Sequence, residues 1–93
     1  MKKVTGPRPL YRIEIARVAR KQLVQLPEKM KPAIQAAIDA LAYDPRPAGV
    51  KKLKGLDGYR IRVGDYRIQF LILDNVLLVE VVKVGQRGNF YDE

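Results

Sequence analysis

The sequence predicts a small α+β domain in the order β-α-α-β-β-β, an antiparallel sheet with an N-terminal helical hairpin packed on one of its faces. Three observations carry this expectation. The chain is 93 residues long, enough for one core and too short for two. Helical spacing of apolar residues fills the first half, broken once by a lone proline. Alternating or β-branched runs then take over in the second half, interrupted by short turn-forming pairs.

Residues 1–9 hold two lysines, a glycine and two prolines, and read as a lightly anchored arm before a domain spanning 10–93. Tyr11, Ile13 and Ile15 alternate with Arg12 and Glu14, the period of a strand with one buried face. Ala16, Ala19, Leu23 and Leu26 then fall at helical spacing, which predicts a helix from about 16 to Leu26. Pro27 ends it, because the residue before proline is steered out of the helical region.

Met30, Ile34, Ala37, Ile38 and Leu41 form the stripe of a second helix. Pro32 fits only its first turn, so that helix should start near Glu28 and stop at Pro45 and Pro47. A loop rich in Pro, Gly and Lys follows, carrying Lys51, Lys52 and Lys54. Three strands complete the chain: Tyr59 to Val63, Tyr66 to Leu73 and Val76 to Val84. The pairs Gly64-Asp65 and Asp74-Asn75 between them read as two-residue hairpin turns.

Those turns set a register. Val63 should face Tyr66, which puts Arg62 opposite Arg67 and Ile61 opposite Ile68. Leu73 should face Val76, which puts Gln69 opposite Glu80, Arg67 opposite Val82 and Ile68 opposite Val81. One sheet face then reads Ile61, Val63, Tyr66, Ile68, Phe70, Ile72, Leu77, Val79 and Val81, a continuous apolar surface for the helices. The other carries Arg60, Arg62, Arg67, Gln69 and Glu80 at one end and Leu71, Leu73, Val76, Leu78 and Val82 at the other. Little chain is left to cover this second face, so its aliphatic end reads as a partner-binding patch.

Composition narrows the chemistry. There is no cysteine and no histidine, which removes disulfides, thiolate metal sites, Ser/His/Asp triads, Cys/His pairs and two-histidine ribonuclease chemistry. No metal or cofactor is expected. Eighteen basic residues against ten acidic give a net charge of +8, and the excess is concentrated: +6 over residues 1–27 and +4 over 51–67, against −2 over 68–93. Such patching suits a polyanion or an acidic protein partner. No run is long and apolar enough for a membrane span or a signal peptide, so no membrane contact and a cytoplasmic location are expected.

The opposed arginines are the most informative feature. Like charges across a ladder repel, and the arrangement becomes favourable when a phosphate or carboxylate sits between the guanidinium forks. Arg60 on the same face, Lys54 on the approach loop and Arg87 beyond the last strand would bring five cations to one end of the sheet.

The stretches LKG (53–55), YRIRVGDYRIQF (59–70) and VGQRGNFY (84–91), with the first strand and a helical hairpin ending in LAYDPRP, resemble the RelE family of toxins from type II toxin-antitoxin systems, within the RelE/ParE superfamily. The resemblance covers roughly residues 10–91. It implies a ribosome-dependent, metal-independent mRNA interferase that cuts the codon in the ribosomal A site by attack of the ribose 2′-OH, leaving a 2′,3′-cyclic phosphate. By position it implies catalytic roles for Lys54, Arg60, Arg62, Arg67, Arg87 and Tyr91; Lys51, Lys52, Gln69 and Gln86 are expected to contact RNA beside them. Arginine stands at both 60 and 62, so the proton acceptor stays open among Lys54, Tyr91 and Glu80. The resemblance also implies an acidic, RelB-like antitoxin lying over Leu71, Leu73, Val76 and Leu78, with the toxin monomeric when free and part of a hetero-oligomer when neutralised. Two other readings remain: a gyrase-inhibiting toxin of the ParE branch, and a non-catalytic RNA- or ribosome-binding module.

Overall fold

A computed structural model describes residues 9–53 and 58–86. Strand β1 (Arg12–Ile15) leads into helix α1 (Arg17–Val24), a 3-10 turn (Glu28–Met30) and helix α2 (Lys31–Ala40). Strands β2 (Lys51–Lys52), β3 (Gly58–Val63), β4 (Tyr66–Leu73) and β5 (Leu78–Gln86) follow, with a second 3-10 turn at Asp74–Val76. They form one sheet in the order β1-β5-β4-β3-β2. The expected helical hairpin on an antiparallel sheet is present. Two features extend it: β1 adds a parallel edge alongside β5, and the short β2, expected to be loop, adds the opposite edge antiparallel to β3.

The helical hairpin forms where the apolar stripes require it. Ala19, Leu26, Ile34, Ile38 and Leu41 are buried against Ile61, Ile68, Phe70, Ile72, Val79, Val81 and Val84 of the sheet, and Met30 and Ala37 pack at the margin. Each helix is shorter than the periodicity predicted. The α1 helix stops before Leu26, because Pro27 is extended and withholds an N–H. The chain enters α2 through the 3-10 turn that begins at Glu28, and Pro32 lies in the first α-helical turn as expected. The end of α2 is tied to the start of β1, where the N–H groups of Leu10 and Tyr11 both donate to Ala42 O (2.9 and 3.0 Å).

The β3–β4 hairpin has the predicted register, with Val63 opposite Tyr66, Arg62 opposite Arg67 and Ile61 opposite Ile68. Gly64 supplies the positive φ (+61°) that this turn needs at its first central position.

The β4–β5 hairpin differs. Leu73 faces Leu78, not Val76, because Asp74–Val76 makes a 3-10 turn closed by Leu77 N–H on Asp74 O (3.2 Å). Leu77 takes a left-handed conformation (φ +53°) and is 42% exposed, so it belongs to the connection and not to the apolar face. The register is displaced by two residues, and a shift of two preserves facing. Val79 and Val81 therefore reach the core as expected, while Leu71 takes the place of Gln69 opposite Glu80.

A second irregularity lies further along. Phe70 pairs with Val81 but Gln69 pairs with Lys83, leaving Val82 as the extra residue of a β-bulge. Beyond it the facing reverses: Ile68 lies opposite Val84, not Val81, and Arg67 opposite Gly85, not Val82. Val84 is consequently in the core, 1% exposed.

Candidate functional site

The sheet face turned away from the helices is built in rows, since residues paired across a ladder share a face. One row runs Lys51, Arg60, Gln69, Lys83 across β2, β3, β4 and β5. The adjacent row runs Arg62, Arg67, Gly85. On the other side of the first lie Gly58, Leu71, Glu80 and Glu14, and then Leu73, Leu78 and Arg12. The face thus has a cationic end with five basic side chains and an end where leucines mix with Glu14 and Glu80.

The cations are not equally available. Arg62 is exposed and Arg67 is half-buried. Arg60 is 7% exposed, the buried charged residue among those described. The Nε atoms of Arg60 and Arg67 are both shut off from solvent. Arginine is suited to this setting, because its planar, weakly hydrated guanidinium stays charged when largely desolvated. A low-dielectric floor also strengthens the attraction of the exposed donors for an anion. The arrangement can hold a phosphoryl group between Arg62 and Arg67 and neutralise charge that develops on its oxygens.

Of the sequence-predicted residues, the structure brings Lys51, Arg60, Arg62, Arg67 and Gln69 onto this one face. Lys52 is turned to the other face, opposite Tyr59, with its Nζ 5.0 Å from the Tyr59 ring centre. Gln86 faces Tyr66, one residue out of phase with the Arg67 row, so it too lies on the helix side. Together with Gln22, Gln25 and Tyr66 it lines a polar cleft at the free edge of β5, which Lys83 also borders. Lys54, Arg87 and Tyr91 lie outside the described residues. In the leucine group, Leu71, Leu73 and Leu78 share the face, whereas Val76 sits in the turn.

Two features escaped the sequence reading. The first is Lys83, which an unbroken alternation with Val79 and Val81 would have sent to the helix side. The spacing Val79, Val81, Val84, two residues and then three, is the signal of the bulge that reverses it. The second is a polar clamp on the helix side of the far end. The Tyr11 hydroxyl donates to Asp74 Oδ1 (2.6 Å), and Arg46 grips both carboxylate oxygens (3.3 and 2.9 Å) and reaches the Tyr59 hydroxyl (3.4 Å). The Arg46 bond, and then that of Tyr11, hold the Asp74 carboxyl below its ordinary pKa. The bond to Asp74 raises the pKa of Tyr11, and that of Arg46 is raised first by Asp74 and then by Tyr59. No short-range pattern joins residues 11, 46 and 74.

Among the described residues no helix is long and apolar enough to cross a membrane.

Comparison with known proteins agrees with the geometry. Residues 13–91 match the family model described as ParE toxin of type II toxin-antitoxin system, parDE. The chain is similar to a protein of Methanocaldococcus jannaschii that carries the name RelE1, 29% identical over 85 residues that cover 87% of this chain and 94% of that one. Its structure is similar to that of a chain in the archaeal RelE-RelB complex from Pyrococcus horikoshii OT3. There the TM-score is 0.76 and the identity 31%, over 87% of this chain and 99% of that one. A chain of the toxin-antitoxin complex RelBE2 from Mycobacterium tuberculosis gives a TM-score of 0.75 and 25% identity, over 86% of this chain and all of that one.

Proposed function

This chain belongs to the RelE/ParE superfamily of toxins from type II toxin-antitoxin systems, and from that membership we propose that it is an mRNA interferase, cutting messenger RNA in the ribosomal A site until a cognate antitoxin neutralises it. The observation that carries the reading is the Arg62–Arg67 pair, two like charges directly opposed inside a cationic end of the sheet. A phosphodiester between them would turn a repulsive contact into a charge-assisted one.

In the proposed reaction the ribose 2′-oxygen attacks the adjacent phosphorus and loses its proton, the bond to the 5′-oxygen breaks, and that oxygen leaves with a proton. The products are a 2′,3′-cyclic phosphate and a free 5′-hydroxyl. Arg62 and Arg67 would neutralise the phosphoryl oxygens, with Arg87 added from beyond β5. Arg60, largely buried, would set the potential from beneath. Arginine stays protonated at neutral pH, so the proton acceptor is to be sought in Lys54, Tyr91 or the RNA and ribosome themselves. Glu80 fits this duty less well, since its row lies between the cations and the leucines, where it faces Leu71 and Glu14.

An acidic, RelB-like antitoxin is the proposed partner, because relatives of similar structure were crystallised in RelE-RelB and RelBE complexes. The leucine end, with Leu73 opposite Leu78 and Leu71 one row in, is the proposed seat of its apolar side chains.

Primer extension on translated mRNA, with and without the purified chain, tests the proposal. Discrete cuts within codons of translated message are expected, with little cutting of naked RNA. The match to a ParE family model favours a second reading, inhibition of DNA gyrase. Loss of gyrase supercoiling at toxin concentrations that leave message intact would select it.

A further inference from the structure

The bulge in β5 has a chemical consequence. Val79 and Val81 are fully buried, and three residues past Val81 comes Val84, buried again at 1% exposure. In an unbroken strand the residue two past Val81 would share its face, and position 83 would be forced into the core. The extra residue Val82 turns Lys83 to the opposite face, beside Gln69. Past Val81 the pairing of β5 with β1 has ended, and there the Val84 N–H donates to Gln22 Oε1 of α1 at 2.7 Å, from 62 positions away in sequence. The bulge lets Val84 complete the core, and on the opposite face it leaves a fifth cation beside four others, a grouping that an anion would turn from repulsive to favourable.

We propose that Lys83 is a further contact to the RNA backbone, at the β5 end of the row Lys51, Arg60, Gln69, Lys83, and that Gln22 is the residue that positions it. The proposal rests on the RNA-cutting reading of this face. Three strand spacings make the row about 14 Å long. A single phosphate cannot touch both of its ends, so the terminal lysines are placed for phosphates that flank the one held at Arg62 and Arg67. A lysine suits such a flanking contact, as a flexible point charge that follows a mobile backbone without demanding fork geometry.

The test is the affinity of the whole chain for ribosomes programmed with a message whose A-site codon carries 2′-O-methyl riboses, so that binding is read without cutting. Lys83→Gln should lower that affinity about fivefold at 0.1 M relative to 1 M salt and reduce the salt slope by about 0.7, the value of one phosphate contact on a single strand. Lys83→Arg should retain it. Gln22→Met should lose a comparable amount, with little added by Lys83→Gln in the same chain, since one variant removes what the other misplaces. An unchanged affinity and slope for Lys83→Gln overturns the proposal, and an equal loss on ribosomes carrying no message overturns it by assigning the contact to the ribosome. Additive losses for the two variants overturn the positioning role of Gln22. Cutting of unmodified message by the wild-type chain is read separately: its absence removes the enzyme reading while the binding data still decide Lys83.

Discussion

Arg62 and Arg67 stand directly opposite each other across the β3–β4 ladder, next to the turn that fixes their register. Cross-strand like charges cost a few tenths to about 1 kcal/mol. Arg62 is the exposed member, so Arg62→Gln should raise the thermal midpoint at low salt, and the gain should shrink as salt screens the pair. Cutting should fall in the same variant. Arg67→Ala should lower single-turnover cutting on programmed ribosomes by on the order of 10²-fold, as expected when a donor to a developing oxyanion is lost. A variant at either position that is destabilised yet fully active would remove the anion-holding role from this pair.

Among the described residues Leu77 is the one non-glycine with a left-handed backbone. Its left-handed backbone (φ +53°) costs about 1–2 kcal/mol for a residue with a Cβ, and at 42% exposure its side chain returns little of that through burial. Leu77→Gly relieves the strain but loosens the unfolded chain, which subtracts about 0.5–1 kcal/mol. A net gain of about 0.5–1 kcal/mol is expected in chemical denaturation. A clear loss would show that the leucine side chain contributes more than its exposure suggests.

The clamp of Tyr11, Asp74 and Arg46 gives a pH signature. Asp74 has a lowered pKa in the folded chain, so its contribution is present above the ordinary carboxylate pKa and is lost as the pH falls through the lowered one. Tyr11 has a raised pKa, so its contribution is present below the ordinary tyrosine value and is lost as the pH rises through the raised one. The gap in thermal midpoint between wild type and Asp74→Asn should therefore be flat between about pH 5 and pH 9 and narrow on both sides. A gap that persists undiminished at strongly acid pH would mean that the charge of Asp74 does not hold the clamp.

What the sequence disclosed follows the range of the interactions concerned. The β3–β4 register was readable because Gly64-Asp65 is a two-residue turn that links its strands rigidly, and the opposed arginines came with it. The Asp74-Asn75 pair looked equivalent, yet the left-handed residue is Leu77, two positions on, after a 3-10 turn over Asp74–Val76. That displacement by an even number left the facing of β5 intact up to the bulge. Past it, Val84 and Lys83 exchanged sides, which local alternation could not show without weighing the three-residue step. The lysines at 51 and 52 read as one loop cluster because two residues are too few to display a strand period, and pairing with β3 splits them between the faces. The clamp joins three segments that meet only once the sheet has closed.

The identity of the proton acceptor gives the last prediction, and it turns on chemistry more than on placement. With neither histidine nor cysteine in the chain, an acceptor from the chain must be a carboxylate, a lysine or a tyrosine; Glu80 fits less well by its row, and a lysine among cations is pushed towards the deprotonated form by its neighbours. Lys54 precedes β3, and that strand carries Arg60 and Arg62. Lys54→Arg keeps the charge and nearly abolishes the capacity to accept a proton. Single-turnover cutting on programmed ribosomes should fall by about 10²-fold in Lys54→Arg, while binding to a non-cleavable message stays within a factor of about two. Tyr91→Phe separates the remaining roles: a small loss fits a ring that stacks on a base, and a loss as large as that of Lys54→Arg fits a hydroxyl that handles a proton. Equal rates for wild type and Lys54→Arg would leave Lys54 an electrostatic residue and move the base to Tyr91 or to the RNA and ribosome.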